Sequence, residues 1–123
     1  MKFDKLSNTV IGLAIEVHRE LGPGLLENTY KQCLAYELSK SNIYFLMEVN
    51  LPVTYKDIQV SCGYRMDLLI DDTLVLELKC VDNLHPVHGT QLLTYMRLAE
   101  AKVGLLINFN VEMLRSGIKR FVL

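Results

Sequence analysis

The apolar pattern of this chain changes period near Ser41-Asn42, and that change dictates helices first and strands after them. Before it, Leu6, Val10, Leu13, Ala14, Val17 and Leu21 recur at three- and four-residue steps, one stripe of an amphipathic helix over about residues 5–21. Gly22-Pro23-Gly24 stops that helix, because proline and glycine break the backbone ladder. A second helix is expected over about 26–40, with Tyr30, Leu34 and Leu38 along one face. Beyond it, residues 44–51, 53–60, 64–70 and 74–79 read as strands, with Asp71-Asp72-Thr73 turning the chain between the last two. A third helix follows over about 87–101, opened by Pro86. The apolar run 103–109 suits a strand covered on both faces, and residues 118–123 suit a short final strand. The expected fold is α/β, of the α+β sandwich kind, with a central mixed β-sheet flanked by helices. No repeat, low-complexity tract or linker divides the chain, so residues 1–123 are expected to form a single domain.

Composition removes several function classes. No segment approaches the ~18 uninterrupted apolar residues that would cross a bilayer, so a membrane partner is not expected. Residues 1–10 are polar and lack the apolar run of a secretory signal, which makes the cytoplasm the expected compartment. Cys33, Cys62 and Cys80 are widely spaced, with no CxxC pair, so they are expected as buried free thiols rather than zinc or redox ligands. The net charge is -1, so the basic footprint of a protein that binds nucleic acid by charge alone is missing. Phosphate recognition would need a local patch or a bound cation. Candidates for that patch are Arg19, Lys31, Arg65, Arg97, Lys119 and Arg120, which form no run.

Charged residues inside the hairpin 64–79 demand an explanation. Leu74, Leu76 and Leu78 form one strand face and belong to a core, leaving Val75, Glu77 and Lys79 on the other. Asp67 interrupts the preceding strand between Met66 and Leu68. Carboxylates are unfavourable in strands and costly to bury without partners. A three-residue loop, Asp71-Asp72-Thr73, would set Asp67 directly opposite Glu77, with Cβ atoms ~5 Å apart. Two carboxylates so placed repel unless a proton or cation sits between them, and a hard divalent cation, Mg²⁺ or Mn²⁺, suits oxygen ligands. Lys79 reaches the same face, where its ammonium could orient a water nucleophile and stabilise charge building on a phosphoryl group. The bland reading of the same residues is a solvated strand face carrying an ion pair.

Asp67, a nine-residue gap, then Glu77-Leu78-Lys79 is similar to the D…(D/E)xK signature of the PD-(D/E)XK nucleases. Gly24-Leu25-Leu26-Glu27-Asn28-Thr29-Tyr30 matches GxxExxY, and Gln91-Leu92-Leu93-Thr94-Tyr95 resembles the QxxxY motif of RecB-like nucleases. Together with the order of elements, and with the phrases at 17–24 and 104–109, these motifs resemble the GxxExxY protein family, a branch of that superfamily. The resemblance spans about residues 5–122. It implies that Asp67 and Glu77 hold the metal, with the backbone carbonyl of Leu78 as a further ligand. Glu27 would add another acidic ligand or hold a metal-bound water. Lys79 would be the catalytic lysine, with Gln91 beside it in the catalytic set. Tyr95, Arg65 and Tyr30 are carried as substrate contacts. Tyr64-Arg65-Met66-Asp67 departs from the pattern by lacking a proline before the aspartate.

The expected function is metal-dependent hydrolysis of phosphodiester bonds in DNA or RNA, with DNA preferred as the nucleic-acid partner. The competing expectation, from a different class, is a non-catalytic nucleic-acid-binding or protein-interaction module that keeps the fold. A homodimer or a protein partner is also expected, because a chain this short has little surface for both recognition and chemistry. His85-Pro86-Val87-His88 invites a metal reading, but Pro86 at a helix start gives the two imidazoles no reason to converge. His18, on the first helix, reads as structural.

Overall fold

The structure is a computed structural model and describes residues 4–123; residues 1–3, part of the polar N-terminal stretch, lie outside it. Helix α1 spans Lys5–Leu21 and α2 spans Glu27–Lys40. Asp4 caps α1 by accepting from the Ser7 backbone N–H at 2.8 Å, and Gly22 ends it with a φ of 68° that a side chain would resist. Strands β1 (Phe45–Asn50), β4 (Arg65–Ile70), β5 (Leu74–Lys79), β6 (Val103–Asn108) and β7 (Ile118–Val122) form the sheet in the order β1-β4-β5-β6-β7. Only β5 and β6 run parallel, as a strand–helix–strand crossover through α3 (Pro86–Ala99) requires.

The sheet is covered on both faces. On one, Val10, Ala14, Val17, Tyr30, Leu34 and Leu38 of α1 and α2 pack against Leu74, Leu76 and Leu78 of β5 and their neighbours in β6. On the other, Leu92, Tyr95 and Met96 of α3 pack against Val75, Met66 and Leu106. The leucine alternation in β5 thus feeds one core, and Val75 feeds the other.

Two expectations need correction. Residues 53–60 are not one strand but a small separate hairpin, β2 (Val53–Tyr55) and β3 (Ile58–Val60), which turns at Lys56 with φ 54°. Nothing in Lys56-Asp57 carries the glycine or asparagine that usually marks such a turn. Cys33 and Cys80 are partly buried, but Cys62 is exposed, because it lies in the open segment after β3. A short 3-10 turn at Leu114–Gly117, not foreseen, leads into β7.

Candidate active site

The β4–β5 hairpin turns through Asp71-Asp72-Thr73, and its pairing runs Ile70↔Leu74, Leu69↔Val75, Leu68↔Leu76. Continued one step, that register sets Asp67 opposite Glu77, as the odd loop requires. The backbone ladder ends at this step, and side chains replace it. The Asp67 N–H donates to Glu77 Oε1 at 3.0 Å, and the Leu78 N–H donates to Asp67 Oδ2 at 2.8 Å.

Asp67 is also where β4 changes the face it presents. Met66 packs with α3, whereas Leu68 and Ile70 pack with α1 and α2. Strand β1 does the same at Glu48: Phe45 and Met47 pack on one side, Val49 on the other. Glu48 has φ 54° and is skipped by the β1–β4 pairing. Strict alternation therefore fails at the two acidic positions. The Asp67 carboxylate enters the gap between strands, where groups from both helical layers reach it.

From α2 come Glu27 and Lys31, four residues apart and so on one side of the helix. Lys31 Nζ lies 3.1 Å from Asp67 Oδ1 and 3.4 Å from Glu48 Oε1. Burial works against the Lys31 charge, but the hydrogen bond and charge of Asp67, and then of Glu48, hold its pKa above the ordinary lysine value. Burial, then the charge of Asp67, raises the Glu27 pKa, against the pull of Lys79 and Lys31. Burial and the adjacent Asp67 push Glu77 up to about 8, so a carboxyl stands here that holds a proton near neutrality unless a cation replaces it.

From α3 come Gln91 and Tyr95. Gln91 Nε2 donates to the Tyr95 hydroxyl at 3.0 Å. Burial, then the charges of Glu77 and Asp67, raises the Tyr95 pKa. The Tyr64 ring meets that of Tyr95 edge-on at 6.4 Å. Burial, then the charges of Lys79 and His85, lowers the pKa of His88. Its Nδ1 accepts from the His85 N–H at 3.0 Å, which makes the histidine pair a helix cap.

Asp67, Glu77, Glu27, Lys79, Gln91 and Tyr95 are thus drawn from four separate elements to one place. Leu78 contributes the backbone N–H described above, and its side chain is core. Arg65 is exposed at the rim, 3.9 Å from Glu48 Oε2. Tyr30 is not a substrate contact. It is fully buried, donates its hydroxyl to the Gly22 carbonyl at 2.6 Å, accepts from the Leu25 N–H and stacks on Phe109. It fixes the glycine turn that aims Glu27. Lys31 is likewise no phosphate contact, since its ammonium is spent on two carboxylates inside the protein. Glu48 was absent from the expected site. Its only sequence mark is a carboxylate inside an apolar strand, Leu46-Met47-Glu48-Val49, the same mark that singles out Asp67. His18 is structural as expected, its Nε2 2.7 Å from the Val111 carbonyl oxygen.

Adjacent carboxylates, a buried Glu77 with an elevated pKa and a partly buried Asp67, are the oxygen donor set that a hard divalent cation takes, so the residues fit such an ion chemically. Among the described residues no three acidic, thiol or imidazole groups stand ready around one metal position. The hydrogen bonds explain this: Asp67 is turned to Lys31 and Leu78, and Glu77 to the Asp67 N–H.

No curated protein sequence matches the chain. Its fold is similar to the crystal structure of an alkaline exonuclease (LHK-Exo) from Laribacter hongkongensis, with a TM-score of 0.51 and 13% identity, covering 98% of this chain and 72% of that one. The family model of the PD-(D/E)XK nuclease superfamily matches residues 4–121. A chain with this mixed sheet, matched over almost its whole length, belongs to the PD-(D/E)XK nuclease superfamily.

Proposed function

We propose that this protein is a metal-dependent nuclease of the GxxExxY branch that hydrolyses phosphodiester bonds in DNA. One observation carries the reading: two carboxylates, Asp67 and Glu77, face each other where the β4–β5 ladder ends, with Lys79 on the same strand as Glu77. A structural ion pair needs no second buried carboxylate, and a protein that gains only stability from the site would replace Glu77 with an apolar residue. Asp67 and Glu77 would hold Mg²⁺ or Mn²⁺, with Glu27 and the Leu78 carbonyl as further oxygen ligands. The ion would supply Lewis acidity, drawing charge from a phosphoryl oxygen and acidifying water. Lys79 would orient the attacking water and meet the charge that builds on the phosphoryl group. Gln91 and Tyr95 form a hydrogen-bonded pair on the α3 side that orients water or a phosphate oxygen, and Arg65 stands at the rim to meet the backbone. The half-exposed Tyr64 ring offers a surface on which a base could stack.

The test is cleavage of single- and double-stranded DNA and RNA by purified protein with Mg²⁺, Mn²⁺ or EDTA. Cutting that needs the metal and is lost in Lys79→Ala is expected, with the mutant folded and still able to bind metal. Cutting that persists in Lys79→Ala would remove the lysine from the chemistry. No cutting by the wild type on any substrate would favour a binding module that keeps the fold.

A further inference from the structure

Hydrolysis gives no role to the buried lysine of α2. The Lys31 side chain is 8% exposed, and an ammonium is taken out of water only against strong partners. It has two, and they differ. The Asp67 side chain is 13% exposed within the acidic site, whereas the Glu48 side chain is 41% exposed at its edge. Glu48 reaches Lys31 only because β1 adopts, at that residue, a left-handed backbone that side-chain-bearing residues rarely take, and gives up pairing there. The strand is bent to present a second carboxylate to one lysine. An ammonium 3.1 Å from Asp67 occupies the position of positive charge that a divalent ion on Asp67 would take, and the two cations repel.

We infer that Lys31 is the resident cation of the acidic site, and that Glu48 is the seat that receives its ammonium when a divalent metal ion takes Asp67. The inference rests on the nuclease reading of Asp67 and Glu77. Lys31 is then a positioning residue. It keeps Asp67 aimed into the gap between strands when no metal is bound, and it sets how much metal is needed to load the site.

The test is calorimetric titration of Mg²⁺ or Mn²⁺ alone into wild type, Lys31→Met, Glu48→Gln and the double variant. Lys31→Met should bind metal about tenfold more tightly, the effect of removing one unit charge beside a divalent ion in a partly screened site. Glu48→Gln should weaken binding in the wild-type background and lose most of that effect once Lys31 is methionine. Should Lys31→Met fail to fold, the ammonium ¹⁵N resonance of Lys31 in the wild type is followed during a Mg²⁺ titration, and it should shift as the site fills. Unchanged or weaker binding by Lys31→Met, or a Lys31 resonance indifferent to saturating Mg²⁺, overturns the exchange while leaving the nuclease reading standing. Metal binding by Lys31→Met but not by wild type also overturns the exchange, because the ammonium then never yields Asp67 to the metal. Absence of binding in every variant overturns both.

Discussion

At Glu77 the protein concentrates its pH response. Its carboxyl is pushed up to about 8 by burial and by Asp67, from an unfolded value near 4.5. Between those two values the folded, metal-free protein holds a proton that the unfolded chain gives up, so stability falls as pH rises through that window. The full contribution is present only below the unfolded value. Thermal melts in EDTA at pH 5 and pH 8 should show the loss, and Glu77→Gln, which keeps the neutral form at every pH, should flatten it. A melting temperature in the wild type that rises from pH 5 to pH 8 would contradict the protonated carboxyl. The same proton must leave when metal binds, so titration of Mg²⁺ at pH 7 should release protons, read as a dependence of the apparent enthalpy on the buffer. Asp4 works in the opposite sense. Desolvation pushes its pKa up, but the Ser7 N–H, the Arg120 side chain and the Ser7 hydroxyl outweigh that and bring it to about 2. Its contribution is therefore lost only in strong acid.

At the scale of elements, what aims the site is a set of clamps outside it. Asn108, at the end of β6, is buried. Its Oδ1 accepts from the Val81 N–H at 3.1 Å and the Asn110 N–H at 3.2 Å, and its Nδ2 donates to the Val81 carbonyl at 2.9 Å. These bonds hold the chain just past Lys79 against the parallel neighbour. Asn108→Ala leaves buried backbone groups unpaired and should cost about 1–3 kcal/mol in urea unfolding. It should also lower cleavage more than the stability loss explains, because Lys79 loses its anchor. Equal stability of mutant and wild type would mean that water replaces the amide fully. Much of this element level could be read from the sequence. The stripe of Leu6 to Leu21, the alternating leucines of β5 and the turn at Asp71-Asp72-Thr73 each act within a dozen residues, where periodicity reports burial directly. The register hung on loop length: a loop of Asp71-Asp72 alone would set Asp67 opposite Leu76, and the three-residue loop, expected because it keeps the two carboxylates on one face, is the one the hairpin has. The hairpin at Lys56 was hidden because a lysine takes the left-handed turn. The role of Lys31 was hidden for another reason. Its partners lie 17 and 36 residues away, and no local pattern records which cation a fold brings to which carboxylate.

At the scale of the whole molecule, charge limits how this chain can hold a polyanion. The net charge is -1, and the proposed site adds carboxylates where a phosphate would have to approach. Several cations are already engaged: Lys31 inside the site, Arg19 with Glu16 at 3.1 Å, and Arg120 with Asp4 at 2.9 Å. Arg65, loosely paired with Glu48 at 3.9 Å, and Lys79 are the basic groups beside the acidic pair, and each phosphate they neutralise releases about 0.9 counterion from duplex DNA or 0.7 from single strands. A lone copy of this chain should therefore show a shallow salt dependence, a slope of log K against log salt of about -1.8 on duplex DNA and about -1.4 on single strands. The measurement is equilibrium binding of a short DNA by Glu77→Gln, which keeps both cations, over a range of KCl concentrations. A steep slope would assign phosphate contacts to a surface that one copy does not present, and sedimentation of the same complex would then separate a second copy from a protein partner. With a shallow slope, affinity for the substrate rests mainly on the metal and on stacking at Tyr64, so Tyr64→Ala should raise KM several-fold while leaving kcat nearly unchanged.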